Sequence, residues 1–281
     1  MADGDLQVGR EVAATRPAEP SASTLLLRDG PDGLEVCMLE RHVETDFAGG
    51  ALIFPGGKLD PRDADLPDGT WEGLDPVSRV QDLGVDTSDE ALALHVCAVR
   101  ETFEEAGVLL ARTGQGAPVD VDLLAEPYTR EVREGLAARG ADLDWRPWLV
   151  ERGLVLDLGA LVPFAWWVTP DGLHRRYSTR FFAAAVPPEQ ATALRHDDVE
   201  TTSSRWVRPS DALAAGARGE VTVIYPTRKL LELLARYPTA ADVLAAARER
   251  RVDLRPIQPR LVQHEGRTMV QHPDGGDPEP G

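Results

Sequence analysis

The sequence predicts a single domain of mixed α and β structure. Two observations predict it: short apolar runs that flank turn residues, as strands do, and a longer stretch, residues 91–110, in which apolar residues recur at helical spacing. The 281 residues would suffice for one large domain or two small ones. We expect one domain, residues 21–255, because no repeat and no long Pro/Ser/Gly linker divides the chain.

The elements follow from local patterns in chain order. Residues 23–27 and 34–39 flank a Gly/Pro/Asp turn and predict a hairpin, and residues 50–57 predict a short strand that breaks at Pro-Gly-Gly. Acids and hydroxyls at 86–90 are cap candidates for the helix at 91–110. The remaining predictions are helices at 128–139, 145–152, 209–217, 227–236 and 240–250, and strands at 163–169 and 177–186 (paired around Asp171-Gly172), 201–207 and 221–225.

Three segments predict little regular structure. Residues 58–88 are rich in proline, glycine and acids and predict a long acidic loop, functional or partly disordered. Residues 1–20 predict a disordered tail. Residues 256–281 predict a largely flexible extension, whose last part, 273–281, is rich in glycine, proline and acids and is expected to be disordered.

Composition excludes several classes of function. The formal net charge is −17 and no basic run is present, so the chain is a poor partner for nucleic acid or an anionic membrane surface. Cys37 and Cys97 stand among apolar residues and cannot form a disulfide framework. With no signal-like or membrane-spanning run, we expect a cytoplasmic protein. No zinc-type histidine pair, GxSxG elbow or Walker loop occurs.

The predicted helix at 91–110 gathers three acids. At about 100° per residue, Glu101, Glu104 and Glu105 share one face, and Leu92, Val96, Val99, Phe103 and Ala106 lie opposite. Clustered carboxylates repel one another, which Mg²⁺ or Mn²⁺ would offset. Arg100 is placed to pair with Glu104 at i+4. The helix alone is equally consistent with a solvated acidic face.

A second motif precedes this helix: Phe54-Pro-Gly-Gly57 ends a strand, and glycines there let the backbone approach a ligand. Followed by Arg-Glu-x-x-Glu-Glu-x-Gly-Val at 100–108, it resembles the signature of the Nudix hydrolases: Gly, five residues, Glu, seven residues, Arg-Glu-aliphatic-x-Glu-Glu-x-Gly-aliphatic. Gly57 matches the opening glycine. An interrupted signature of this kind resembles that of the subfamily that contains the peroxisomal coenzyme A diphosphatases. Further similarity to this subfamily lies in Phe47-Ala-Gly49, Trp166 to Pro170, Thr179 to Phe182, Glu200 and Trp206-Val207.

The chain departs from the signature in three ways. The interval from Gly57 to Arg100 holds 29 extra residues, which lie in the acidic loop. Counted back from Arg100, the position of the first signature glutamate is occupied by Leu92. Glu90, or Asp63 when the count starts at Gly57, is therefore only a loose substitute for that glutamate. Thr102 occupies an aliphatic position.

The resemblance implies an α/β/α sandwich with a curved mixed sheet, enlarged by insertions at about 58–88 and 118–160. It implies metal-dependent hydrolysis, with Mg²⁺ or Mn²⁺, of a nucleoside diphosphate linked to another moiety, most closely coenzyme A or acyl-CoA. Glu104 and Glu105 would be ligands with a Gly56 or Gly57 carbonyl nearby, Glu101 the base or a further ligand, and Arg100 an orienting residue. Glu200 matches a position of another metal-binding or base glutamate, or is an exposed acid at a strand end.

Recognition of an anionic nucleotide by an acidic protein requires local positive charge. The candidate arginines are Arg41, Arg175, Arg176 and Arg180, of which at least two are expected to be ordinary surface arginines. Phe54 and Gly56 are further candidates for contact with the substrate. Trp166 or Trp167 could stack on a base, although strand alternation directs one of them into the core. The expected partner is a small nucleotide, with no nucleic acid and no membrane, and we keep a homodimer as an option. The alternatives are a pyrophosphatase for ADP-ribose or a dinucleoside polyphosphate, and a non-catalytic nucleotide-binding module.

Overall fold

A long first strand organises the main sheet of this protein. The computed structural model describes residues 16–41, 50–138, 142–192, 194–195, 197 and 201–281. The strands are β1 Glu19–Gly30, β2 Gly33–Arg41, β3 Leu52–Ile53, β4 Gly56–Lys58, β5 Trp71–Glu72, β6 Ala111–Thr113, β7 Leu154–Asp157, β8 Val162–Val168, β9 Tyr177–Ala185, β10 Thr201–Val207, β11 Pro256–Ile257, β12 Arg260–His264 and β13 Arg267–Gln271. The helices are α1 Pro76–Leu83, α2 Ser88–Ala106, α3 Val121–Ala125, α4 Pro127–Ala137, α5 Arg146–Arg152, α6 Pro209–Ala217, α7 Tyr225–Leu234 and α8 Ala240–Arg248.

The main sheet is mixed and runs in the order β10-β2-β1-β9-β8-β11. β1 pairs in parallel with β9 along its length. On its other edge β1 changes partner, since Ser21–Ser23 pair with β4 and Leu27–Gly30 pair with β2. β2 therefore separates from the first half of β1, and the gap admits β4 with its two glycines.

Helices cover both faces of this sheet. Successive residues of β1 point to opposite faces, so Leu26 joins the core under α2 and Leu25 joins the core under α7 and α8. The second core includes Leu231 and Val243 from those two helices. The predicted α/β/α sandwich with a mixed sheet is confirmed. Within the described residues no helix has the length and apolarity needed to cross a bilayer.

The helix that carries the acids, α2, begins and ends with recognisable caps. The Thr87 hydroxyl accepts a hydrogen bond from the Glu90 N–H at 3.2 Å, and Asp89 and Glu90 favour the positive end of the helix dipole. Gly107, at φ 72°, ends the helix in the left-handed conformation that glycine adopts without steric cost. The helix therefore stops at Ala106, four residues before the predicted end.

The acidic segment 58–88 is folded, contrary to the prediction of a loop. A 3₁₀ turn, Pro61–Ala64, opens with a capping box in which Asp60 and Asp63 accept each other's turn N–H groups. α1 follows, with Pro76 in its first turn and Gly84 as its left-handed C-cap. Proline and glycine, which predicted irregular chain, here mark the two ends of a helix.

Two further predictions differ from the structure. The predicted strand at 221–225 is reduced to a single bridge between Thr222 and Ala51, because Tyr225 already belongs to α7 and Pro226 is compatible only with its first turn. The extension 256–281 was expected to be flexible but contains the β12–β13 hairpin, and Glu279 pairs through its backbone with Val270. Of the tail 1–20, residues 1–15 lie outside the described part, and Glu19 and Pro20 belong to β1.

Candidate active site

The Gly56-Gly57 turn packs directly on the carboxylates of α2. The Gly56 N–H donates a hydrogen bond to Glu105 Oε2 at 2.9 Å. A Cβ atom on Gly57 would lie 2.5 Å from Glu101 Oε1, and one on Gly56 would lie 2.5 Å from the Ala22 carbonyl oxygen. Gly56 therefore requires glycine, because the backbone of β1 lies against it, whereas a side chain at Gly57 would have to displace the Glu101 carboxylate.

Arg100 links the acids of the helix to this turn. Its Nη1 donates to Glu101 Oε1 at 2.7 Å and reaches Glu104 Oε2 at 3.5 Å. Its Nη2 donates to the Lys58 carbonyl oxygen at 2.9 Å. Burial lowers the pKa of the Arg100 guanidinium, but the Glu101 and Asp63 carboxylates more than offset this and hold it above its usual range. Arg100 is therefore a fixed cation that orients Glu101.

Asp63, from the segment that interrupts the signature, pairs with Arg100 in the interior of the protein. It accepts two hydrogen bonds from Arg100, from Nε at 2.9 Å and from Nη2 at 3.0 Å, and is 1% exposed. The 3₁₀ turn thus brings Asp63, one of the two loose substitutes for the first glutamate, onto the arginine in bidentate geometry. Glu90, the other candidate, instead accepts the Asp86 N–H at the start of α2.

Glu105 is the most deeply buried acid of the cluster, at 3% exposure. Burial raises the pKa of its carboxyl well above the usual range, and the charge of Glu101 raises it further. The Gly56 N–H and the positive charge of Arg41, at the end of β2, act in the opposite direction. The cluster therefore carries excess negative charge that a bound cation would relieve.

Thr102 occupies the aliphatic position of the signature, and its hydroxyl has hydrogen-bond partners there. It is fully buried, and its hydroxyl lies 2.6 Å from the Ala98 carbonyl oxygen and 2.8 Å from the Thr24 hydroxyl of β1. Thr24 supplies the polar partner that a threonine needs in this core.

Glu104 differs from its two neighbours because it opens onto a cavity. The cavity, of about 70 Å³, lies between the 3₁₀ turn and the insertion around α4 and α5. Arg62 and Asp144 line it beside Glu104. Ion pairs from Arg62 to Asp142 at 2.9 Å and from Arg146 to Asp65 at 2.7 Å join the two insertions next to it.

The donor chemistry of the cluster suits a hard divalent cation. Glu101, Glu104, Glu105 and the Gly57 carbonyl offer oxygen only, which Mg²⁺ and Mn²⁺ prefer. Across the described residues no three acids, histidines or cysteines converge on one point, because Arg100 holds Glu101 and Glu104, and Gly56 holds Glu105. The cluster fits a divalent ion by its donor atoms and by the charge it would neutralise.

Two of the predicted substrate contacts serve the fold instead. Arg180 donates to the Leu83 and Gly84 carbonyl oxygens at the end of α1 and lies over Trp166, and burial lowers its pKa to about 10. Phe54 is 5% exposed and packs on Phe181 in the core under α7 and α8. Neither side chain is available to a ligand in this arrangement.

The other predicted residues have varied positions. Arg176 is 7% exposed and pairs with Asp171 at 2.7 Å, whereas Arg175 is exposed. Strand alternation is confirmed, because Trp167 is 5% exposed in the core and Trp166 faces the other side of the sheet, against Arg180. Glu200 and Phe47-Ala-Gly49 lie outside the described residues.

Sequence reasoning missed Arg133 of α4. Its Nε donates to the carbonyl oxygens of Phe103 and Glu104, both at 2.9 Å. A cation at these last carbonyls stabilises the C-terminus of α2, next to the acids. Nothing in the sequence distinguishes Arg133 from the exposed Arg130 on the same helix; only the packing of α4 against α2 does.

Comparison with known proteins agrees with this geometry. A sequence model of the NUDT19 Nudix domain matches residues 75–233. The acyl-coenzyme A diphosphatase NUDT19 of Homo sapiens is 28% identical over 273 residues, covering 83% of this chain and 67% of that protein. The protein of the same name from Gallus gallus is 30% identical over 249 residues, covering 76% and 64%. The chain thus spans about two thirds of the length of these relatives.

A solved structure is similar as well. The NUDIX hydrolase from Alicyclobacillus acidocaldarius superposes with a TM-score of 0.65 at 28% identity, covering 83% of this chain and 97% of that one. The fold is that of a Nudix hydrolase, a class of enzyme that generally uses divalent metal ions. Since the matching family model covers more than half of the chain, the chain belongs to the NUDT19 Nudix domain family.

Proposed function

We propose that this protein hydrolyses the pyrophosphate bond of coenzyme A or acyl-CoA, releasing 3′,5′-ADP and (acyl-)phosphopantetheine. The observation that carries the reaction type is the Asp63–Arg100–Glu101 chain of hydrogen bonds on the Gly56-Gly57 turn. It brings Asp63 of the insertion together with the acids of α2. The substrate rests on the relatives, which are named acyl-coenzyme A diphosphatases.

In this proposal Glu101, Glu104 and Glu105 hold Mg²⁺ or Mn²⁺, with the Gly57 carbonyl nearby. A bound divalent ion would neutralise phosphate charge and activate water. Arg100 fixes the carboxylate of Glu101, which is our candidate for the general base. Arg41 and the exposed Arg175 are the remaining candidates for phosphate contact among the arginines predicted to bind substrate.

The setting of this reaction is a further part of the proposal. The substrate is a small nucleotide derivative, and the compartment is reducing, as in the cytoplasm. Both cysteines are buried free thiols, and burial raises the pKa of Cys37 and Cys97, which keeps them in the unreactive protonated form.

The test is product analysis by liquid chromatography and mass spectrometry. Purified protein with Mg²⁺, or with Mn²⁺, is incubated separately with coenzyme A, acetyl-CoA, ADP-ribose, NADH and diadenosine tetraphosphate. Release of 3′,5′-ADP from the two CoA species, at rates at least tenfold above cleavage of the others, is the expected result. Preferential cleavage of another compound would replace the substrate, and no cleavage with either ion would favour a non-catalytic nucleotide-binding module.

A further inference from the structure

A second cavity lies away from the carboxylate cluster. Its volume is about 240 Å³, and it is an open cleft lined by α1, by the start of β8 and by the end of α8 with the residues that follow. Leu161, Val162 and Leu254 form part of an apolar wall, and Arg79, Arg248 and Arg250 supply charge. None of its lining residues belongs to the acidic cluster or lines the cavity beside Glu104.

The charge of this cavity is opposite to that of the protein. Three guanidinium groups and one carboxylate, Asp82, line it, in a chain of formal net charge −17. Asp82 pairs with Arg79 at 3.3 Å and with Arg250 at 2.9 Å. Across the described part of the chain, Arg248 has neither an ion pair nor a hydrogen bond from its side chain. The cavity therefore keeps positive charge that no protein group neutralises.

The backbone at Arg250 is unusual in a way that concerns this cavity. Its φ is 55°, one of two positive values among described residues other than glycine. The Arg250 and Arg251 N–H groups close the end of α8 on the Ala247 and Ala246 carbonyl oxygens, at 3.1 and 2.8 Å. Glycine is favoured at such a helix end because other side chains incur steric cost. Arg250 adopts this conformation despite its steric cost, and its side chain pairs with Asp82 at the cavity wall.

We propose that this cavity binds a small organic phosphate. Guanidinium groups match the geometry of a phosphate, the apolar wall suits the organic part, and the modest volume limits the ligand to about the size of a mononucleotide. Asp82 holds Arg79 and Arg250 in place, and Arg248 offers the uncommitted charge. The site is separate from the proposed hydrolysis and does not depend on it.

The test is isothermal titration calorimetry on the full chain with AMP as the probe. EDTA is present and no divalent ion is added, so that the acidic cluster repels the probe and no turnover occurs. Arg248→Ala should weaken AMP binding at least tenfold. Arg251→Ala is the matched control, because it removes the same charge at a position three residues further along the chain. The Arg251 side chain pairs with Glu249 at 2.8 Å and does not line the cavity. It should change the affinity less than twofold.

Three results would overturn the proposal: no binding of AMP to the unmodified protein, an equal loss in both variants, or equal binding of adenosine, which lacks the phosphate. Both arginines are exposed, so neither substitution threatens folding. Because the measurement uses no metal and no turnover, its outcome is independent of whether the protein cleaves coenzyme A.

Discussion

Asp63 and Arg100 lie 37 positions apart in the sequence and meet through two hydrogen bonds, of 2.9 and 3.0 Å, in the interior of the protein. The arginine extends the contact to Glu101 at 2.7 Å. The insertion thus separates Asp63 from Arg100 in the sequence but not in space. The Pro61–Ala64 turn and α1, which both belong to the insertion, each pack against the helix that carries the acids.

Asp63→Asn should remove the charge that holds Arg100. Breaking a buried ion pair from one side leaves the other charge uncompensated, so we expect a loss of about 3 kcal/mol in the free energy of unfolding. We also expect kcat to fall by roughly tenfold or more, with KM little changed, because the orientation of Glu101 is lost. Urea denaturation and steady-state kinetics measure these effects.

Asp60→Asn is the matched control for this change. Asp60 lies in the same turn, but its ion pair with Arg62 is partly exposed, and exposed pairs contribute under about 1 kcal/mol. Equal effects of the two variants on stability and kcat would mean that the Asp63–Arg100 pair has no special role.

Arg133→Ala should loosen the end of α2. It removes the hydrogen bonds to the Phe103, Glu104 and Glu105 carbonyl oxygens at the end of the helix, for an expected destabilisation of about 2 kcal/mol. Arg130→Ala, at an exposed position on the same helix, should change stability by less than about 0.5 kcal/mol. Thermal unfolding of both variants compares them, and an Arg133 effect no larger than that of Arg130 would refute its capping role.

His95 should make the stability of the protein depend on pH. Burial lowers the pKa of His95 to about 4, against an ordinary value of 6.5. Between these values the unfolded chain binds more protons, so the contribution is complete above pH 6.5 and is lost as pH falls toward 4. From pH 7.5 to pH 5 this group alone should reduce the free energy of unfolding by about 2 kcal/mol.

His95→Gln isolates that contribution, since glutamine does not titrate. Urea denaturation at pH 7.5 and pH 5 measures how far the free energy of unfolding falls between these values. The fall should be about 2 kcal/mol smaller in the variant than in the unmodified protein. An equal decrease in both proteins would show that His95 keeps its ordinary pKa in the fold.

Glu105→Gln should stabilise the protein when metal is absent. The change removes a charge that is buried beside Glu101 but keeps an oxygen to accept the Gly56 N–H. Thermal unfolding in EDTA should show a gain of about 1–2 kcal/mol, and Mg²⁺ should then stabilise the unmodified protein more than the variant. The half-buried Glu104 should give a smaller gain when changed to glutamine. A Glu105 variant less stable than the unmodified protein in EDTA would contradict the electrostatic account.

Local patterns predict the helix and its acids because helical periodicity and the signature both lie within a short stretch. Asp63 could not be assigned from the sequence, since its contact with Arg100 depends on how the insertion folds. The roles of Arg180 and Phe54 were misassigned for a similar reason, because residue type does not reveal tertiary contacts. Arg180 donates to a carbonyl at the end of α1, and Phe54 is buried in the core under α7 and α8. The hairpin at 260–271 was missed because its apolar residues, Leu261 and Val270, pack on a core whose other members are distant in sequence.

The most direct test of the central claim compares Glu104→Gln with Glu90→Gln in the release of 3′,5′-ADP from coenzyme A with Mg²⁺. Glu104 belongs to the acidic cluster, whereas Glu90, on the same helix, accepts only the Asp86 N–H among the described hydrogen bonds. We expect Glu104→Gln to slow release by roughly a hundredfold or more with an unchanged circular dichroism spectrum, and Glu90→Gln to stay within about twofold. Turnover by folded Glu104→Gln at the rate of the unmodified protein would contradict the assignment of the active site.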